Sequence, residues 1–129
     1  DRLAKRLAKR DGLDMTTAEA PLKEDEYDDP SAVKVVVNQK GEALYFSRSL
    51  IPYPRNEFSV PPLKHVGIYA YRRDFLLAYA GMKQTPLEKT ESLEQLRALE
   101  IIRIDSEDIG IDTEEDLKKA NRLFERSHQ

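Results

Sequence analysis

The chain opens on a helical period, with Leu3, Ala4, Leu7 and Ala8 on one stripe and Lys and Arg opposite. That spacing predicts a short amphipathic helix over residues 1–11, stopped by Gly12. Residues 15–18 read as a short strand, and the acidic stretch 23–29, ending at Pro30, as a solvated loop. Residues 33–37 are β-branched except for Lys34, and residues 43–46 follow after Asn38-Gln39-Lys40-Gly41. Two apolar runs around a polar turn that ends in glycine predict a hairpin. Residues 51–62 hold Pro52, Pro54, Pro61 and Pro62, which exclude a helix or a central strand there. Strand formers return at 65–71, and a helix is expected over 74–80, built on Phe75, Leu76 and Tyr79. Thr85, Pro86 and Glu88 combine an N-cap, a proline at the first helical position and a capping-box acid. A further helix is therefore expected from there to about Leu99, with Leu93, Leu96 and Leu99 inward. Residues 101–104 read as a strand, and Thr113-Glu114-Glu115-Asp116 as the start of a last helix with Leu117, Ala120 and Phe124 on one face. The order is helix, strand, hairpin, loop, strand, two helices, strand, helix, a mixed α/β pattern with no internal repeat.

Composition narrows the choices. A length of 129 residues makes one domain, or a piece of a larger one. With 21 basic and 24 acidic side chains and a net charge of −3, no global attraction to nucleic acid or to an anionic membrane is expected. An anionic ligand has to be met by a local site. The lack of cysteine excludes disulfides, thiolate metal sites and thiol nucleophiles. No apolar run approaches the roughly 18 residues of a membrane span, and the first residues lack the apolar segment of a signal peptide, so the cytoplasm is the expected compartment. The helical period starts at the very first residues with only Asp1 to cap it, which points to a missing natural start.

Few residues suggest chemistry on their own, since there is no glycine-rich phosphate loop and the only histidines are His65 and His128. Arg48 follows a strand at the entrance to a proline-containing loop, where a guanidinium fork suits a carboxylate or phosphate; a solvated loop arginine is the bland alternative. His65 and Tyr69 share a strand face by their even separation, and a core-edge histidine is the competing reading. Glu94 and Gln95 sit among inward leucines, so one of them is expected to face the sheet; otherwise Glu94 is helix surface, paired with Arg97 three residues on. Asp112 follows Gly110-Ile111 beyond a strand, where a carboxylate suits a divalent cation, or simply helps Thr113 cap the last helix.

Taken in order, several segments resemble one family. Asp29-Pro30-Ser31-Ala32-Val33-Lys34-Val35-Val36, the run from Gly41 to Pro52 containing Tyr45-Phe46-Ser47-Arg48, and Lys64-His65-Val66-Gly67-Ile68-Tyr69-Ala70-Tyr71-Arg72 are similar to the CMP-Kdo synthetases. So are Pro86-Leu87-Glu88, Leu93-Glu94-Gln95-Leu96-Arg97 and Gly110-Ile111-Asp112-Thr113-Glu114-Glu115-Asp116-Leu117. The resemblance implies an α/β fold of the nucleotide-diphospho-sugar-transferase type, a mixed sheet with flanking helices. It implies that residues 1–129 are the C-terminal, sugar-acid-binding and dimerisation half of a cytidylyltransferase domain. The family joins CTP to the eight-carbon acid sugar Kdo, giving CMP-Kdo and diphosphate for lipopolysaccharide assembly.

By that resemblance Arg48, His65, Tyr69, Glu94 and Gln95 bind the sugar acid, Arg48 and Asp112 serve catalysis, and Asp112 binds Mg2+. The partners implied are Kdo, CTP and a second copy of the chain. The family's Arg- and Lys-containing phosphate loop and its Gln-Gly-Asp-Glu-Pro segment, which holds the other metal carboxylate, do not occur in these residues. The nucleotide-binding half is therefore expected to be absent and the chain alone inactive. A free-standing acidic-sugar-binding or assembly module is the alternative.

Overall fold

The computed structural model describes residues 2–9 and 12–109. Its elements are α1 (Arg2–Lys9), β1 (Met15–Pro21), a 3-10 turn (Glu24–Glu26), β2 (Lys34–Val37), β3 (Ala43–Ser47), β4 (Leu63–Tyr71), α2 (Arg73–Ala80), α3 (Pro86–Glu91), α4 (Gln95–Leu99) and β5 (Ile104–Asp108). The expected helix beginning at Thr113 lies outside the described residues.

The strands form one mixed sheet in the order β3-β2-β4-β1-β5. β1 runs antiparallel to β4 and parallel to β5, while β2 runs antiparallel to both β3 and β4. The hairpin forms where the sequence places it. Asn38 Oδ1 accepts from the Lys40 and Glu42 amides, and Gly41 takes φ +79°, a region costly for a residue with a Cβ. A Cβ there would also lie 2.6 Å from the Arg6 guanidinium. The turn leans on the far edge of the sheet, where Ser106 N–H donates to Gly41 O at 2.7 Å.

Several expectations are corrected. β1 extends to Pro21 and is buried from Met15 to Ala20 because it is flanked by a strand on each side. Its Ala and Glu residues are weak strand formers, overridden by pairing. The single helix expected from Thr85 to Leu99 is two, broken at Ser92, whose φ of 53° is left-handed. Glu88 accepts from the Thr85 amide as expected, but the Thr85 hydroxyl makes no cap bond. The last strand starts where it was expected to end. The amides of Ile101 and Ile102 both bond back to Ala98 O, closing α4, and the acid-rich Ile104–Asp108 pairs with β1.

Helices cover both faces. On one, Leu3 and Leu7 of α1 pack over Leu13, Ala18, Ala20, Val66 and Ala70. The small sheet residues let the helix lie close, and Arg72 anchors its end by donating to Leu7 O at 2.8 Å and to Leu13 O. On the other face α2, α3 and α4 bury Met15, Val35, Phe46, Phe75, Tyr79, Leu93, Leu96 and Ile104. Leu76, expected inward, is 44% exposed because Phe75 and Tyr79 define the buried stripe of α2.

Candidate functional site

The second face carries the polar residues. In the β1/β4 register Thr17 faces Tyr69 and Ala18 faces Val66, so a bulge adds Gly67 and Ile68 to β4. Two extra residues preserve the alternation. His65, Tyr69 and Tyr71 stay on the face of α2–α4, while Val66, Ile68 and Ala70 face α1.

His65 lies between polar neighbours. Its Nε2 is 2.8 Å from Thr17 Oγ1 and its Nδ1 is 3.4 Å from Gln95 Nε2. Thr17 Oγ1 is also 2.8 Å from Ile68 O and 3.4 Å from Val66 O. Phe46 packs edge-on to the imidazole at 4.8 Å, and the Tyr69 ring lies 5.6 Å away. Burial lowers the His65 pKa to about 4, so the ring is neutral at ordinary pH. Burial also pushes the Tyr69 phenol well above its usual value and the Tyr71 and Tyr79 phenols to about 12. The imidazole and these phenols thus form an uncharged hydrogen-bonding surface, suited to hydroxyls.

Arg48 closes one end of this face by gripping the α3–α4 break. Its Nε donates to Glu91 O at 2.7 Å, Nη1 to Pro30 O at 2.8 Å and Nη2 to Ser92 O at 3.0 Å. Of its five N–H groups, two have no partner among the described residues. The Arg48 amide donates to Glu91 Oε1 at 3.0 Å. Burial raises the Glu91 pKa, but this bond and those from Ser47 and Tyr45 outweigh it and hold the carboxyl below its usual range. Lys34, fully buried, donates to Asp29 O at 2.8 Å and Arg48 O at 2.9 Å. The break therefore has a fixed place, and Glu94 and Gln95 follow directly from it.

Of the pair at 94 and 95, Gln95 is the buried, sheet-facing one. Glu94 is exposed beside Ser92 and Arg97 in a surface depression, and its carbonyl accepts from Tyr79 Oη at 2.8 Å. The expected Glu94–Arg97 pair is replaced by a bidentate pair of Arg97 with Glu88, at 2.7 and 2.6 Å, under which the Tyr79 ring lies. Glu94 and Arg97 both lie beyond the break, and the Arg97 guanidinium reaches back across it to α3. Arg48, His65, Tyr69, Glu94 and Gln95 are thus linked around one face, while Asp112 lies outside the described residues. Among the described residues no three His, Asp or Glu groups converge as a metal would require. Sequence reasoning missed Thr17 and Glu91. Thr17 acts through the bulge, and Glu91 through a contact with a residue 43 positions away.

Comparison with known proteins agrees with these motifs. A cytidylyltransferase family model matches residues 1–124. A 3-deoxy-manno-octulosonate cytidylyltransferase of Solibacter usitatus is 48% identical, over 77% of this chain and 42% of that protein. The enzyme of the same description from Syntrophotalea carbinolica is 44% identical, over 88% of this chain and 52% of that protein. A solved structure of CMP:2-keto-3-deoxy-manno-octonic acid synthetase complexed with CTP superposes with a TM-score of 0.78 at 42% identity, covering 98% of this chain and 55% of that one. The chain spans about half the length of the curated relatives it matches. By the family match along nearly its whole sequence, and by a fold shared with a solved synthetase, the chain belongs to the cytidylyltransferase family.

Proposed function

We propose that the chain supplies the sugar-acid side of a cytidylyltransferase that joins Kdo to CTP, giving CMP-Kdo and diphosphate. The observation that carries this reading is the linkage of Arg48, His65, Tyr69, Glu94 and Gln95 around one face, in a family whose relatives act under that description. In the reaction the anomeric hydroxyl of Kdo loses its proton and its oxygen bonds to the α-phosphorus of CTP, as the bond to diphosphate breaks. The two remaining Arg48 N–H groups meet the Kdo carboxylate, and the neutral His65, Tyr69 and Gln95 meet hydroxyls, with Glu94 at the rim.

Asp112 is the carboxylate offered to Mg2+, which when bound offsets charge on the phosphates. The triphosphate is held by residues beyond the half that this chain spans. A homodimer, a cytoplasmic setting and a product destined for lipopolysaccharide belong to the same reading.

Arg48→Lys tests it in a protein carrying both halves. The charge remains but the planar fork is lost, so kcat/KM for Kdo should fall about ten- to hundredfold, the effect of one charge-assisted hydrogen bond. The dependence on CTP should hold. A defect confined to CTP would place Arg48 on the wrong substrate.

A further inference from the structure

We propose that Thr17 is a positioning residue for His65, its hydroxyl fixing the imidazole as the Nε2–H tautomer and so setting the donor order along Gln95, His65 and Thr17. The proposal deepens the reading that His65 and Gln95 meet the sugar acid, and rests on it for its consequence, though not for its test.

The Thr17 hydroxyl has one proton and two neighbours at 2.8 Å, His65 Nε2 and Ile68 O. A carbonyl only accepts, so a contact that short places the hydroxyl proton on the line to Ile68 O. His65 Nε2 must then bring its own hydrogen and donate to Thr17 Oγ1. That leaves Nδ1 as the acceptor, and the atom 3.4 Å from it is the amide nitrogen of Gln95, a donor. All members run in one direction, and the imidazole, held neutral by burial, satisfies both its roles. The bulge makes this possible, because Gly67 and Ile68 are the residues it adds opposite the Thr17–Ala18 step.

The order has a chemical consequence. With its nitrogen end given to His65, Gln95 keeps its carbonyl oxygen as the acceptor for a ligand. An acceptor selects a hydroxyl and rejects a carboxylate, so this part of the site reads the polyhydroxy chain of the sugar acid and leaves its carboxylate to Arg48.

The test uses protein labelled with 15N at histidine, without ligand, the His65 signals being those that vanish in His65→Gln. The expected result is an unprotonated Nδ1 and a slowly exchanging Nε2–H. Thr17→Val, which keeps the shape and removes the acceptor, should speed exchange of that hydrogen about tenfold, as expected for loss of one hydrogen bond of ordinary strength. Thr17→Ser should restore its protection. A purely structural threonine would change the melting temperature and leave the exchange and tautomer alone. An Nδ1–H tautomer in the unsubstituted protein overturns the proposal, as does an Nε2–H equally protected in Thr17→Val. Should Thr17→Val fail to fold, the unsubstituted tautomer and the protection in Thr17→Ser still decide. The expected tautomer in a protein that binds no Kdo would overturn the functional reading and leave this inference standing.

Discussion

Under α1 the sheet presents Ala18, Ala20, Val66 and Ala70, and charge is met at the edge, where Arg6 pairs with Asp105 at 2.9 Å and Glu107 at 2.6 Å. Under α2–α4 the same sheet sets a half-buried His65 between the buried Thr17 and Gln95, among Phe46 and Tyr69, in a chain of uncharged hydrogen bonds. A helix and a sheet pack on shape and apolar area, which the first face supplies, its buried Thr16 hydroxyl donating to Leu3 O of α1 at 3.0 Å. Polar groups within the second cost desolvation unless they are paired, and Thr17, His65 and Gln95 meet that cost by pairing with one another. The difference teaches that α1 covers a largely apolar face, while α2–α4 enclose a chain of polar side chains, the face to which the proposed function assigns the sugar acid.

The comparison breaks most easily by emptying each face in turn. Phe46→Ala and Leu3→Ala remove side chains that are 0% and 3% exposed. Denaturant melts should show losses of about 3–5 and 2–5 kcal/mol respectively. Where the variants still fold, Kdo affinity should fall only for Phe46→Ala, because Phe46 packs against His65. An equal effect on affinity from Leu3→Ala would erase the distinction.

A smaller effect follows from His65 itself. Its folded pKa of about 4 lies below the unfolded value of 6.5, so between these values the unfolded chain binds the extra proton. The stability of the neutral ring is complete above pH 6.5 and is lost as pH falls toward 4, by up to about 3 kcal/mol. His65→Gln should flatten the pH dependence of unfolding free energy by that amount. Parallel curves for the two proteins would mean that the ring is solvated.

The smallest effect concerns the α3–α4 break. Ser92→Gly relieves a left-handed residue and should be neutral or stabilising by up to about 1 kcal/mol. In an unbroken helix the same change would cost about 0.5 kcal/mol, so the sign of the shift in a urea melt separates the two.

The sequence made the hairpin legible because a valine run, a polar turn and Gly41 agree with one another. It hid the helix break, since the start signals at Thr85-Pro86 and the helical spacing of Leu93, Leu96 and Leu99 lie on opposite sides of Ser92, which itself gives no warning. It also hid β5, whose Asp105, Glu107 and Asp108 are poor strand formers held by pairing with β1. At the site, an inward turn by one of Glu94 and Gln95 was readable from their leucine neighbours, and the structure makes Gln95 the buried one. The engagement of Arg48 with three main-chain carbonyls was not, because carbonyls 18, 43 and 44 positions away leave no mark on local pattern. Thr17 stayed hidden for the same reason, as its role depends on the register of β4.

The central claim is that the face under α2–α4 is the sugar-acid site, and a titration of Kdo followed by backbone and histidine NMR tests it directly. The account predicts saturable shifts at Thr17, His65, Tyr69 and Gln95, with the resonances of Leu3, Leu7, Ala18 and Ala20 unmoved. No saturable shift, or shifts centred on the α1 face, would contradict it.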